Sequence, residues 1–214
     1  MSRSPLNFLQ LLQLADSAIA IGATAHSFGI ETLVAENLLT VDGLESFLHD
    51  YLAETGLVDA IFCRAAFRAS SEVLPVLNRH LSALRPASES RKASLALGRR
   101  FGQLAAALCD WDAAPECHLV LAFGHVAARL EFDGDETVLA CLQQSVTALV
   151  SACQRLLPLG QIRAAQLLWA VKPAIVAVME RSRALQPADA TSFTPLLDLA
   201  SMRHPSLDVR LFIS

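Results

Sequence analysis

A histidine and a serine lie side by side near the start of the chain, in a loop-like run whose residue types could do chemistry. The run is LADSAIAIGATAHSFGIE, residues 14–31, and it places His26 and Ser27 between Gly22 and Gly29. A histidine changes charge near neutral pH and can donate a hydrogen bond, accept one or bind a metal. Two interpretations are open: the pair satisfies backbone amides at the start of the next helix, or it performs a function of the loop.

The other histidines and carboxylates do not form a recognised catalytic or metal-binding pattern. His118 and His125 are seven residues apart on a predicted helix, farther than the one-turn spacing of common metal-ligand pairs. Asp110 and Asp112 face apart at the end of a helix. The sequence has no G-x-S-x-G or H-E-x-x-H motif and no phosphate-binding G-x-x-x-x-G-K-S/T motif. We predict no catalytic residue, no metal ligand and no cofactor.

One enzymatic alternative stays open. A small all-α enzyme could use a buried cysteine and a carboxylate on a vitamin-like small molecule, with Cys63, Cys109 and Glu54 as candidates. The five cysteines lack C-x-x-C spacing, which is typical of reduced core thiols in a cytosolic protein. We therefore expect inert thiols and a cytoplasmic location.

Helices must position these side chains, because almost every long segment has apolar residues at helical spacing. No Asn-Gly or Asp-Gly pair is flanked by alternating apolar residues, so no β-hairpin is predicted. The pattern predicts an all-α fold, a single-domain bundle of roughly 8–11 helices with a C-terminal tail, over residues 1–214. Asp42 and Ser88 are predicted helix N-caps, a helix is expected over residues 116–130, and Trp169 is expected in the core.

The composition is unusually apolar for a soluble domain. Hydrophobic residues make up 53% and charged residues 18% of the 214 residues, and the mean hydropathy is +0.42. We expect a partner protein or a second copy of the chain to cover part of that surface. The apolar stretch 164–179 is interrupted by Gln166, Lys172 and Pro173, so no membrane span is predicted. A net charge of −4 gives no support for nucleic-acid binding.

The segment 203–214 is predicted to be an extended tail that docks on a protein surface. Its apolar side chains, including Leu211 and Phe212, would be costly to leave in water. The tail therefore either packs on its own domain or binds another protein.

Basic residues cluster on the helix that is predicted to begin at Ser88. Arg91 and Arg99 lie about two turns apart on one side of that helix. The cluster is either a docking site for an acidic partner surface or a solvated basic face. We place the functional prediction on Arg91.

Several segments resemble, in order, the signature of the urease accessory protein F (UreF) family. In the first loop the matching positions are Asp16, Ser17, Gly22, His26, Ser27, Gly29, Ile30 and Glu31. The clear departure is Ala20, where the family usually has proline. The later matching segments are 89–94 with 98–100, 143–145, 158–161 with Gln166, 202–204 and 210–214. Because the segments follow the family's order, the resemblance is specific.

The resemblance implies a non-enzymatic adaptor, commonly a homodimer, that binds the accessory protein UreD (UreH in some organisms) and the GTPase UreG. Such an adaptor couples GTP hydrolysis to the insertion of nickel into apo-urease. The partner-binding residues that the resemblance implies are His26, Ser27, Gly29, Glu31, Arg91, Arg99, Arg210, Leu211 and Phe212. For His26 and Ser27, locking the loop is the alternative to facing a partner.

Overall fold

A computed structural model describes residues 4–112 and 115–214 as helices joined by turns and loops. The α-helices are α1 (Pro5–Leu14), α2 (Ile30–Ala35), α3 (Leu44–Tyr51), α4 (Leu57–Arg68), α5 (Leu74–Ala83), α6 (Ser88–Cys109), α7 (Leu119–Arg129), α8 (Gly134–Leu156), α9 (Gln161–Ala170), α10 (Lys172–Ser182) and α11 (Pro195–Arg203). A π-helical turn, Leu52–Gly56, joins α3 to α4. No β-strand occurs in the described ranges, and the predicted all-α fold is confirmed.

Helix α7 is the central element of the core. Its sequence LVLAFGHVAAR is apolar around most of its circumference, and residues 120–127 are all buried. A Cβ atom at Gly124 would overlap the carbonyl oxygen of Cys63, so this glycine lets α4 approach closely. A Cβ atom at Gly98 of α6 would overlap the carbonyl oxygen of Cys117, just before α7. Close packing around α7 therefore depends on the absence of a Cβ atom at Gly98 and at Gly124.

Arg64 joins three helices from a buried position on α4. Its Nη1 lies 2.8 Å from Asp135 Oδ1 in the first turn of α8, and its Nε donates to Ser182 Oγ of α10 at 3.1 Å. The side chain of Asp133 caps α8 by accepting from the amides of Asp135 and Glu136. These contacts fix the start of α8, the long helix on which the first loop rests.

The predicted N-caps at Asp42 and Ser88 are wrong, although the two helices are present. Gly43 and Ala87 occupy the N-cap positions of α3 and α6, and neither position has a side-chain cap. Before α3 the backbone makes its own turn, with the Gly43 amide donating to the Thr40 carbonyl at 3.2 Å. This backbone turn places Gly43 at the N-cap position, so the side chain of Asp42 does not cap α3.

The helix expected over residues 116–130 is shorter than predicted, because α7 begins at Leu119. His118 has an extended ψ of 149°, and its amide donates to Asn78 Oδ1 at 2.9 Å instead of entering a helix. A long-range hydrogen bond has therefore replaced the first helical turn.

The prediction that Trp169 lies in the core is wrong. Helix α9 buries a narrow stripe that contains Ala164 and Leu167, and Trp169 lies on the opposite face with 75% of its surface exposed. Ile162, two turns earlier on that face, is also exposed, and Lys172 Nζ lies 5.5 Å from the centroid of the indole. The helix therefore presents large apolar side chains to solvent.

By length and composition, the stretch Gln161–Ser182 could cross a membrane, and about a third of its most apolar part is buried in the structure. In the structure it consists of α9 and α10, which meet at Val171. Leu167 and Ile175 from this stretch are part of the hydrophobic core. Core helices have the same composition as membrane spans of this length, so the stretch is weak evidence for a membrane protein.

Candidate functional site

The end of the chain returns to the first loop and pairs with it through backbone atoms. The main-chain oxygen of Ser214 accepts from the Ser27 and Phe28 amides at 2.5 and 3.2 Å. The Ser27 hydroxyl donates to the same oxygen at 3.0 Å. One residue earlier, the Ile213 amide donates to the Ala25 carbonyl at 2.8 Å. The last residues are therefore docked on the chain's own loop.

We call this region the loop–tail junction, formed by the first loop with the start of α2 (residues 16–31), by His204, and by the tail (residues 207–214). Glu31, in the first turn of α2, is its central acceptor. Its carboxylate accepts from the Leu211 amide at 2.6 Å and from the Phe212 amide at 3.2 Å. A buried carboxylate needs such donors because it has lost its hydration. Here the donors are supplied by the backbone of the tail.

His204, just after α11, connects the tail acceptor to a third helix. Its imidazole is fully buried, with Nε2 2.8 Å from Glu31 Oε2 and Nδ1 3.0 Å from Glu89 Oε2. Glu89 lies in the first turn of α6. The imidazole thus bridges carboxylates of α2 and α6 beneath the tail.

Three side chains from the long helices hold the backbone of the first loop. Arg100 of α6 donates to the Ile21 carbonyl at 3.1 Å, and Arg155 of α8 donates to the Thr24 carbonyl at 2.7 Å. Gln144, also of α8, donates to the carbonyls of residues 14 and 16 at 3.3 Å. Loop carbonyls have no partners within a helix, so these side-chain donors fix the loop's path.

Gly29 is required by both backbone conformation and space. Its φ is +93°, in the left-handed region that favours glycine. A Cβ atom there would lie 2.8 Å from Ser201 Oγ and 3.0 Å from the Leu197 carbonyl oxygen, both on α11. Gly22, with φ +78°, leaves similar room for the guanidinium of Arg100. The two glycines let the loop lie directly on its neighbours.

His26 contacts the end of the tail through its ring. Nδ1 lies 2.8 Å from Ser214 Oγ, and the ring centroid lies 5.9 Å from that of Phe28. Burial, helped by the nearby positive charge of Arg100, lowers the pKa of His26 below its usual value of 6.5. The imidazole is therefore neutral at pH 7 and can either accept from or donate to the serine hydroxyl.

The docked tail alternates between buried and exposed side chains. Phe212 is 5% exposed, and the guanidinium carbon of Arg155 lies 4.2 Å from its ring centroid. In contrast, Val209, Leu211 and Ile213 are 78%, 57% and 68% exposed. The tail therefore presents a row of three apolar side chains to solvent, while Glu31 and Ser27 hydrogen-bond to its backbone.

The structure brings most of the predicted partner-binding residues together but not all of them. Those in the junction are His26, Ser27, Gly29, Glu31, Leu211 and Phe212. Arg210 also lies in the tail of the junction and is exposed, whereas Arg99 is exposed on α6. Arg91 donates to the carbonyls of Arg85 and Pro86 at 2.6 and 3.2 Å, which closes the turn between α5 and α6.

The turn that Arg91 closes belongs to a buried polar network. Arg85 Nη2 lies 2.5 Å from Asp59 Oδ1 of α4, and its Nη1 donates to Ser94 Oγ of α6 at 2.6 Å. Burial raises the pKa of the Asp59 carboxyl, although Arg85 opposes the effect. A cavity of about 140 Å³ lies between this network and the first loop and reaches His26.

The sequence prediction missed several residues that form the junction or contact it, namely Glu89, Arg100, Gln144, Arg155, His204 and Ser214. Five of them lie inside segments that resemble the family, so a signal was available for all but Arg155. Periodicity gives no indication that His204 is buried between two carboxylates, because its partners are 115 and 173 residues away in sequence.

The remaining histidines do not form a metal site. His118 is fully buried, contacts Ser82 Oγ through Nε2 at 2.9 Å, and has its pKa lowered to about 3 by burial and by the charges of Arg85 and Arg91. His125 is also buried, on α7. In the ranges 4–112 and 115–214, no group of three or more histidine, cysteine or acidic side chains could hold a metal ion.

The residues of the enzymatic alternative lie on separate elements, with Glu54 in the π-helical turn between α3 and α4. Cys63 is fully buried on α4, and Cys109 lies at the end of α6. The Glu54 carboxylate accepts from the Phe193 amide at 3.3 Å. Burial raises the pKa of both Cys117 and Cys153 to about 12, so these thiols stay protonated at neutral pH.

Comparison with known proteins gives one consistent family. The UreF family profile matches residues 38–172. The urease accessory protein UreF of Mycobacterium sp. is 34% identical over 95% of this chain and 97% of its own length. The proteins of that name from Nostoc sp. and Geobacillus kaustophilus are 32% and 31% identical, over 97% and 96% of this chain and 96% and 97% of their own lengths.

Relatives that match over nearly the whole chain carry the name of an accessory protein and not of an enzyme. The chain is therefore not an enzyme, and the alternative built on Cys63, Cys109 and Glu54 is wrong. The chain belongs to the UreF family of urease accessory proteins.

Proposed function

We propose that the chain is a cytoplasmic adaptor of urease maturation that binds UreD (UreH) and the GTPase UreG and couples GTP hydrolysis to nickel insertion into apo-urease. The observation that carries the proposal is the outward face of the docked tail. Val209, Leu211 and Ile213 are all more than half exposed on a backbone that the junction already holds in place. Monomers rarely expose such rows unless a partner covers them.

The fixed backbone of the tail supports a binding role on energetic grounds. A flexible segment loses conformational freedom when it binds, and that loss weakens the complex. Here Glu31 and Ser27 have already ordered the tail, so less freedom remains to be lost when a partner binds. His26 and Ser27 then act by locking the tail, and Leu211 acts by contacting the partner.

Two exposed arginines add to the proposed binding surface. Arg210 is exposed between the apolar positions, and Arg99 is exposed on α6. Both can pair with acidic groups of a partner and raise the rate of association. Arg91 has a supporting role, since its guanidinium already donates to two carbonyls.

Coupling to a GTPase requires unequal binding. An adaptor shifts the nucleotide cycle of UreG only if it contacts the GTP-bound and GDP-bound states with different affinity. We expect the complex of this chain with UreD to bind one nucleotide state of UreG several-fold more tightly. Equal affinity for UreG loaded with GDP and with a non-hydrolysable GTP analogue would exclude the coupling role.

The first experiment is chromatography with light scattering on the chain, its cognate UreD and their mixture. We expect a complex that the triple variant Val209→Ser, Leu211→Ser, Ile213→Ser abolishes. The matched control is Val73→Ser, Val76→Ser, Leu108→Ser, which removes three exposed apolar side chains elsewhere. Absence of a wild-type complex would overturn the adaptor role. If both triple variants lost the complex to the same extent, the tail would not be a specific part of the interface.

We also propose that the chain forms a homodimer through the exposed face of α9 and α10. Ile162 and Trp169 lie seven residues apart on α9, Val176 follows on α10, and all three side chains are exposed. Large apolar and aromatic residues of this kind are enriched at interface cores. Light scattering should give twice the mass of one chain for the wild type and one chain's mass for Trp169→Glu, whereas a wild-type monomer would contradict the proposal.

A further inference from the structure

The cavity of about 140 Å³ beside the first loop is lined by α4, α6, α7, α8 and α11. Most of its wall is apolar, and the four longest-buried helices of the core contribute Val58, Leu97, Val120 and Leu149 to it. Apolar cavities of about 150 Å³ hold a molecule of the size of benzene. The cavity therefore has room for a small organic molecule.

One part of the wall is polar, where Asp59 and Arg85 line the cavity together. Asp59 accepts from Arg85 through Oδ1, and no donor contacts its Oδ2 in the part of the chain that the structure describes. Arg85 donates to Asp59 and to Ser94 Oγ, which uses two of the five N–H groups of a guanidinium. An acceptor oxygen and several donors are therefore available side by side.

Most other polar side chains of the wall have hydrogen-bonding partners within the protein, among them His26, Ser90, Gln144, Ser145, Thr194 and Asp198. Asp198, on α11, is the remaining acidic group of the wall. Its carboxylate accepts from the hydroxyl of Thr194 at 3.0 Å. The hydrogen-bonding capacity that a ligand can use is therefore concentrated at Asp59 and Arg85.

The charges at this place favour a neutral ligand. An anion there would face the carboxylate of Asp59 and a cation would face the guanidinium of Arg85, and a like charge is costly in a buried site. A carboxamide avoids both contacts, because its N–H donates to a carboxylate while its carbonyl accepts from a guanidinium. We propose that the cavity binds a small neutral molecule with an apolar body and a carboxamide-like head, which hydrogen-bonds to Asp59 and Arg85.

The site differs from the protein-binding surface of the tail, and it also contacts the first loop. Ala23, His26 and Phe28 of that loop line the same cavity. A molecule that fills the cavity binds only the folded arrangement of loop and helices, so it stabilises that arrangement by mass action. Binding should therefore raise the melting temperature of the chain in proportion to the logarithm of ligand concentration.

The test uses the chain alone with benzamide as the probe, and with toluene, benzoate and benzamidinium as probes of similar shape. We expect benzamide to bind with a Kd of about 1 mM or tighter, measured by NMR titration and by the rise in melting temperature. The other three should bind at least about tenfold more weakly, because each lacks the neutral head with both a donor and an acceptor. Ring protons of bound benzamide should show NOEs to the methyl groups of Val58, Leu97 and Val120.

The variant Ala148→Leu places a larger side chain in the wall of the cavity and should weaken benzamide at least about tenfold. Its control is Ala140→Leu, at another half-buried position of α8 that does not line the cavity, and it should bind as the wild type does. The NOEs of the wild type test the same location without a substitution.

Three results would overturn the proposal. The first is that benzamide does not bind, which would leave a cavity that holds only water, or that its NOEs lie elsewhere. The second is that toluene binds as tightly as benzamide, since the polar part of the wall would then have no role. The third is that benzamidinium binds more tightly than benzamide, which would assign the site to cations held by Asp198.

Discussion

The helical core and the loop–tail junction are held by different kinds of contact. Around α7 the helices pack through apolar side chains and through glycines with no room for a Cβ atom. The tail is held on the loop by a few buried polar contacts, centred on Glu31, with Phe212 as its buried apolar side chain, whereas Ile21 and Ile30 of the loop belong to the hydrophobic core. Segments with few apolar contacts open without global unfolding. The core therefore determines the free energy of unfolding, and the tail can undock while the core stays folded.

The comparison is tested most strongly at the buried ion pair of the core. Arg85→Ala leaves the Asp59 carboxylate buried and unpaired, so we expect a loss of about 3–5 kcal/mol in unfolding free energy. Arg163→Ala is the control, because its ion pair with Glu45 is half exposed, and it should cost less than about 1 kcal/mol. Denaturant titration measures both, and similar losses would show that burial is not the deciding factor.

A smaller effect is expected from filling the space of a core glycine. In Gly98→Ala the new methyl group overlaps the carbonyl oxygen of Cys117, and we expect the unfolding free energy to fall by about 2–3 kcal/mol. Gly102→Ala, one turn later on α6, meets no atom within 4 Å and should stabilise the helix by about 0.5–1 kcal/mol. If the two variants were equally stable, helix propensity and not space would determine the role of Gly98.

The dependence of stability on pH is expected to come largely from a buried histidine of the core. The pKa of His118 is lowered from 6.5 to about 3, so the folded core favours the neutral ring. Its contribution to stability is complete above pH 6.5 and is lost as the pH falls towards 3, at a rate of up to about 1.4 kcal/mol per pH unit. His118→Gln should flatten this acid slope in denaturant titrations at several pH values, whereas substitution of the exposed His49 should leave it unchanged.

Local helical structure could be predicted from the sequence where periodicity and turn residues agree. Asp133 caps the start of α8, and the all-α fold follows from spacing alone. Two of the errors have the same cause. Trp169 is exposed because α9 buries only one stripe, and α7 starts late because Asn78 holds the amide of His118. Both outcomes depend on neighbours that are distant in sequence.

The candidate site shows the same limit. The first loop and the tail were each recognisable, but their pairing joins residues 27 and 214. Glu31, Glu89 and His204 come from α2, α6 and the end of α11, and no local pattern indicates that they meet. The sequence therefore predicted the two halves of the junction, and the tertiary packing determined that the loop residues hold the tail.

The smallest expected effect concerns the tail alone. Arg155→Ala removes the hydrogen bond to the Thr24 carbonyl and the guanidinium over the Phe212 ring. We expect docking of the tail to weaken by about 1 kcal/mol, which raises amide hydrogen exchange at Phe212 about fivefold. Exchange in α7 should not change, because Arg155 is exposed and outside the core. Arg79→Ala, an exposed arginine on α5, is the control and should leave both regions unchanged. If Arg155→Ala raised exchange equally in α7 and in the tail, the two regions would open together and the junction could not change state independently of the core.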